Sequence, residues 1–130
     1  MPSAILPSLS VELAYLALCV PLGLVYLVFQ AYSTGGDGKR QPGDVAAGMG
    51  FRAEKALRNF SETFPLFAAM ALAVTVADKA DWWTALGAGL YFWGRVAYLP
   101  AYIAGYGPVR SAFWTIATLG IAIMFWQLAF

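Results

Sequence analysis

The sequence predicts an all-α integral membrane protein, a single domain over residues 1–130 built as a bundle of four transmembrane helices. Three observations carry that expectation. The chain is 61% hydrophobic and only 12% charged, about half the charge of a soluble domain at roughly 25%. It contains four apolar runs, each long enough to cross a bilayer. Gly, Pro and Asp cluster between those runs, where a continuous helix would have to stop. The same composition excludes several function classes. A net charge of +1 offers no basic surface for nucleic acid. One cysteine, Cys19, and no histidine leave no disulfide framework, no zinc-type metal site and no His-based catalysis. The length is too short for a transporter made of two large inverted repeats within one chain.

The first span is expected at Leu9–Tyr32, roughly 35 Å of helix against a bilayer core of about 30 Å. No Lys or Arg precedes its apolar run, so Met1–Val20 does not read as a signal peptide and the segment is expected to be retained. Pro21 and Gly23 are tolerable in a membrane helix, with a bend expected at Pro21. Ser33–Gly50 reads as a loop carrying Asp37, Lys39, Arg40 and Asp44. The second span is expected at Phe51–Ala77, with two polar turns at its start. A short connection, Asp78–Asp81, leads to a third span at Trp82–Ala104. Gly105-Tyr106-Gly107-Pro108 reads as a turn, and Val109–Phe130 is the fourth span.

Basic residues set the expected orientation. Lys39, Arg40, Arg52, Lys55 and Arg58 surround the first loop, and Arg110 lies in the third. The second loop has only Lys79, offset by two Asp. The positive-inside rule then places loops one and three in the cytoplasm and both termini outside. A bacterial inner membrane is preferred to the endoplasmic reticulum. Trp82, Trp83, Trp126 and Tyr15 would form an aromatic belt at the outer interface.

The chemistry concentrates on the second and third spans. Arg52, Lys55, Asn59 and Glu62 are spaced 3, 4 and 3, so they share one helix face, with Arg58 flanking it. Tyr91, Arg95, Tyr98 and Tyr102 are spaced 4, 3 and 4, a second stripe that Tyr106 extends. Arg110 and Ser111 open the fourth span on the same side. Such groups are costly in hydrocarbon and must meet each other, a neighbouring subunit or a polar ligand. The cations outnumber Glu62, read as a buried carboxylate, and that surplus suits a ligand with carboxylates. Glu62 would take a ligand ammonium or hold an Arg. The plain alternative is an Arg58–Glu62 pair at the membrane edge, with Arg52 and Lys55 reaching lipid phosphates. The tyrosines alone would then be helix packing. Glu12 reads as an interfacial carboxylate at a helix start, and Cys19 as a small core residue.

These residues also carry a resemblance. Phe51-Arg52-Ala53, then Asn59-Phe60-Ser61-Glu62-Thr63-Phe64-Pro65-Leu66-Phe67, resembles the second-span signature of the membrane-associated proteins in eicosanoid and glutathione metabolism (MAPEG). Gly94-Arg95-Val96-Ala97, Tyr98, Tyr102 and Pro108-Val109-Arg110-Ser111 look like that family's third span and the start of its fourth. The likeness covers about Arg52 to Trp114.

The resemblance implies a homotrimer of four-helix subunits that binds glutathione between subunits near the cytoplasmic side. Arg52, Lys55, Arg58, Asn59, Glu62, Arg95, Tyr98 and Tyr102 are the implied glutathione-binding residues. Arg110, with Ser111 beside it, is the implied thiol-activating group. The implied activity is a transferase or peroxidase acting on lipophilic electrophiles from the membrane, with no metal. Lys55 departs from the family's usual Arg, Thr63 stands where some members have a Tyr, and span one lacks the Arg several members place at its end. Two other readings remain: a non-catalytic protein binding a lipid headgroup or another anion on the same scaffold, and a small proton-coupled drug transporter using Glu12.

Overall fold

The structure is a computed structural model that describes residues 10–33, 45–104 and 107–130. Asp37, Lys39, Arg40, Asp44, Gly105 and Tyr106, which entered the loop and orientation arguments, lie outside the described residues. Those described form four helices: α1 (Val11–Ser33), α2 (Val45–Val76), α3 (Trp82–Ala104) and α4 (Gly107–Ala129).

Four of the helix ends have a visible local cause. Ser10 caps α1, its Oγ accepting the Leu13 N–H at 3.2 Å. The end of α2 closes with paired backbone bonds, Lys79 N–H to the Val74 carbonyl at 2.8 Å and Asp78 N–H to that of Thr75 at 3.2 Å. Asp78 supplies the left-handed residue such a terminus needs, with φ at 57°. At the start of α3, Thr84 N–H donates to Asp81 Oδ1 at 3.0 Å and Asp81 N–H to Thr84 Oγ1 at 2.7 Å, a reciprocal capping box. Gly107-Pro108 does not continue α3; it opens α4, where proline in the first turn lacks only a donor the helix does not use.

One expectation is corrected. Residues 45–50, read as loop, belong to α2, which is 32 residues long. Gly48 and Gly50 argued against helix there, but a few unfavourable residues are readily added to a helix that already exists. Pro21, Pro65 and Pro100 all lie inside continuous helices.

Three helices are long and apolar enough to cross a membrane, over Val11–Tyr32, Arg52–Val76 and Pro108–Ala129. α3 falls short because Arg95, three Trp and three Tyr dilute its apolar content.

Contacts between ends give the topology. Glu12 of α1 meets Thr84 of α3, so these two N-termini share one end. Trp83 of α3 and Trp126 of α4 line one cleft at that same end. Arg110 of α4 reaches Tyr102 of α3 at the other. The chain therefore runs up, down, up, down. Trp82, Trp83 and Trp126 are exposed at the first end, while Tyr15 reaches deeper and accepts from Trp93 Nε1 at 3.3 Å.

α3 and α4 make the most extensive helix pair, because small residues face each other across it. A Cβ on Gly87 would stand 2.5 Å from the Gly120 carbonyl oxygen, and one on Gly120 would run into that of Gly87. A Cβ on Gly94 would meet Ala117 Cβ at 3.2 Å. The core is built on helical spacing: Ala56, Phe60, Phe67, Ala71 and Val74 from α2, Ala88, Tyr91 and Tyr98 from α3, Cys19 and Tyr26 from α1, Ala117 and Met124 from α4.

Candidate functional site

The inward face of α2 runs through Ala53, Ala56, Phe60, Thr63 and Phe67. That register turns the polar face, one residue away, toward the outer edge of the subunit. Lys55, Arg58, Asn59 and Glu62 there meet Tyr98 and Tyr102 of the antiparallel α3, and these six line a cleft of about 310 Å³. The size falls within the range of small-molecule sites, roughly 300–1,000 Å³. The cleft brings two cations, one carboxylate, one carboxamide and two phenols together.

The other expected residues surround the cleft at different depths. Arg110 stands at its rim, its guanidinium 4.5 Å from the Tyr102 ring centroid. Ser111 is exposed on α4 and does not line the cleft; its carbonyl accepts the Thr115 hydroxyl at 2.8 Å. Arg52 is exposed one turn before Lys55, also outside the lining. Arg95 lies behind the wall, fully buried. Its Nη1 donates to Asn59 Oδ1 at 2.7 Å, and its guanidinium packs over Tyr98 at 4.3 Å. Its Nε and Nη2 are buried without a partner.

The tyrosine stripe of α3 is thus divided. Tyr98 and Tyr102 face the cleft, with ring centroids 5.6 Å apart. Tyr91 serves the core, stacked 4.4 Å from Phe67 and hydrogen-bonded to Thr63 Oγ1 at 3.0 Å.

The buried carboxylate is not Glu62, which is exposed in the single chain, but Glu12, 2% exposed. Thr84 Oγ1 donates to Glu12 Oε2 at 2.5 Å. This is a tie between α1 and α3 at the end away from the polar cleft. Cys19 is buried in the core, as expected.

Two contributors had no signal in the sequence. Tyr26 of α1 donates its hydroxyl to the Arg95 carbonyl at 2.6 Å, and Thr84 anchors Glu12. Nothing in the spacing of α1 links it to residues about 70 positions away.

A second, apolar groove runs between α1 and α2, about 240 Å³, with Leu24, Leu27, Leu57, Phe60 and Phe64 on its walls. Neighbours in the chain, Asn59 and Phe60, thereby serve the polar cleft and the apolar groove respectively. Among the described residues, no three metal-ligating side chains come together.

No curated protein and no solved structure matches the chain. The family comparison does match, over residues 8–130, and its span takes in every element that builds the cleft. With membrane-length helices, a polar cleft at one end and that near-complete match, the chain is an integral membrane protein that belongs to the MAPEG family.

Proposed function

We propose that the protein is a glutathione-dependent transferase or peroxidase for lipophilic electrophiles, working as a homotrimer of four-span subunits. The observation that carries this reading is the cleft of Lys55, Arg58, Asn59, Glu62, Tyr98 and Tyr102, with Arg110 at its rim. Glutathione has two carboxylates, one ammonium and one thiol, and the cleft offers a matching set of charges. Lys55 and Arg58, helped by Arg52, take the carboxylates. Glu62 takes the ammonium. Tyr98 and Tyr102 donate to the remaining oxygens. The equal length of α3 with α1 and α4, 23 residues each, supports a fourth crossing.

Arg110 is the group for the thiol. A cation beside a thiol lowers its pKa from about 8.5 toward neutrality, giving a thiolate at working pH. Tyr102 carries the guanidinium on its ring face and so sets where that charge stands. Ser111 lies beside it for a further hydrogen bond. In conjugation the sulfur forms a bond to the electrophilic carbon, the leaving group departs with its electron pair, and the thiol proton passes to solvent. The apolar substrate arrives through lipid, for which the Leu24–Phe60 groove gives a surface of matching character. Basic residues around the cleft end support a cytoplasmic site, with the termini outside.

The test is conjugation of an aryl chloride by the purified protein, with Arg110→Ala beside it. Activity should fall by roughly 10²-fold, the loss that follows removal of one group stabilising a developing anion. A thermal shift with glutathione should persist in that variant. Undiminished turnover would remove Arg110 from the mechanism; no thermal shift in the parent protein at millimolar glutathione would remove glutathione.

A further inference from the structure

Asn59 forms part of the cleft wall, and Arg95 holds it from behind through the 2.7 Å bond from Nη1 to Oδ1. A guanidinium has only donors, so the oxygen end of the carboxamide must face it. The two ends of Asn59 are thereby fixed: Oδ1 points inward, and Nδ2 is left for the cleft. Arg95 cannot easily release its partner. Its guanidinium is confined by Tyr98 at 4.3 Å, Phe60 at 5.7 Å and Tyr26 at 5.9 Å, and the Tyr26 hydroxyl grips its carbonyl.

The chemistry of the pair is unusual for a buried cation. A carboxylate at position 59 would neutralise Arg95, and a buried charge left unpaired is costly. The carboxamide leaves Nε and Nη2 without a partner. A bond whose only purpose was to tie α2 to α3 would be served better by Asp. What Asn adds is a donor on the far side. The positive charge pulls on Oδ1, and that polarisation strengthens Nδ2–H as a donor.

We propose that Arg95 is a positioning residue: it locks the Asn59 carboxamide so that Nδ2 presents a polarised donor to an acceptor, a carboxylate or peptide carbonyl, of the ligand in the cleft. This deepens the glutathione reading and rests on it for the identity of the ligand. It makes Asn59 a specificity element, since a ligand with an N–H at that point meets donor against donor.

Asn59 is the single asparagine of the chain, so selective ¹⁵N-asparagine labelling yields one side-chain amide. In the ligand-free protein that amide should be rigid and shifted downfield. In Arg95→Gln, whose amide can offer either end, it should become mobile. Glutathione should move the signal in the parent, and its Kd should rise about 10-fold in Arg95→Gln, the cost of one hydrogen bond to a charged group.

Asn59→Asp guards against misfolding of the Arg95 variant. It should raise the melting temperature by satisfying Arg95, yet weaken glutathione by 10-fold or more because the donor is gone. An unchanged amide signal in Arg95→Gln, or parental glutathione affinity in Asn59→Asp, would overturn the positioning role. If the parent binds no glutathione, that reading of the cleft fails, and the ligand-free spectra still decide whether Arg95 orients Asn59.

Discussion

Glu12 and Arg95 are both charged residues inside the bundle, and they are held in opposite ways. Glu12 receives the Thr84 hydroxyl, and the same threonine closes the capping box with Asp81. One side chain thus satisfies a buried carboxylate and starts a helix. Thr84→Val keeps the shape and the backbone bond from Thr84 N–H to Asp81 Oδ1, but loses both hydroxyl bonds, the one to Glu12 and the one from the Asp81 N–H. It should cost about 2–4 kcal/mol, the sum of a lost cap and an unsatisfied buried group, and show as a lower melting temperature. Glu12→Gln keeps an acceptor for Thr84, so stability and glutathione conjugation should both stay close to the parent's. A transporter driven through Glu12 would instead lose all proton-driven dye efflux. The sequence showed that Glu12 sits in a first turn but not which residue it meets, since Thr84 is remote in the chain. It also showed that Arg52, Lys55, Asn59 and Glu62 share a face. It did not show that the face turns outward, because a helical wheel fixes angles within one helix and not its rotation against the next. Lys55 illustrates the finer grain. It lines the cleft as a point charge, and Lys55→Arg would add a planar fork for a carboxylate. Glutathione should then bind roughly 3–10-fold more tightly, measured by calorimetry.

Among the elements, α3 is the one the others are fitted around. Its first turn holds α1 through Thr84, its glycines admit α4, and its last turns complete the cleft with α2. Its existence was legible from length and from the Gly-Pro that follows it. Its partners were not, because a glycine in an apolar run gives no sign of what approaches it. The start of α2 was misjudged for a related reason: Gly48 and Gly50 signal a break locally, while the adjoining helix overrides them. The α3–α4 contact makes a graded prediction. A methyl on Gly120 meets the Gly87 backbone, which cannot swing away, whereas one on Gly23 meets only the edge of the Phe60 ring at 3.3 Å. Gly120→Ala should therefore cost about 1–3 kcal/mol, and Gly23→Ala distinctly less. Thermal denaturation of the two variants in the same detergent is the comparison, and equal losses would mean that α3 and α4 do not approach as closely as their glycines permit.

For the whole molecule, the cleft poses a problem that one subunit does not solve. Lys55, Arg58 and Glu62 are exposed on the single chain, yet Arg58 and Glu62 lie beyond the first turn of Arg52–Val76, the part of α2 long and apolar enough to cross a membrane. Charges facing hydrocarbon at that depth are costly and ordinarily face protein or a water-filled cavity. α1 and α4 meanwhile expose broad apolar surfaces, Leu24, Val25, Leu27 and Val28 on one and Leu119, Phe125 and Trp126 on the other. A second copy laid against α2 would cover the charges and leave apolar faces to the lipid. This is the physical case for the proposed trimer, and on that proposal the site is incomplete in a monomer. Native mass measurement in mild detergent should give three subunits. Dissociation by a harsher detergent should leave the helical content, read by circular dichroism, largely intact, since each bundle has its own core. Glutathione affinity should nevertheless fall by 10-fold or more, the loss expected when even one charge-assisted contact from the neighbour is removed. Monomers that stay helical and bind glutathione as tightly as the trimer would mean that a single bundle closes the cleft unaided.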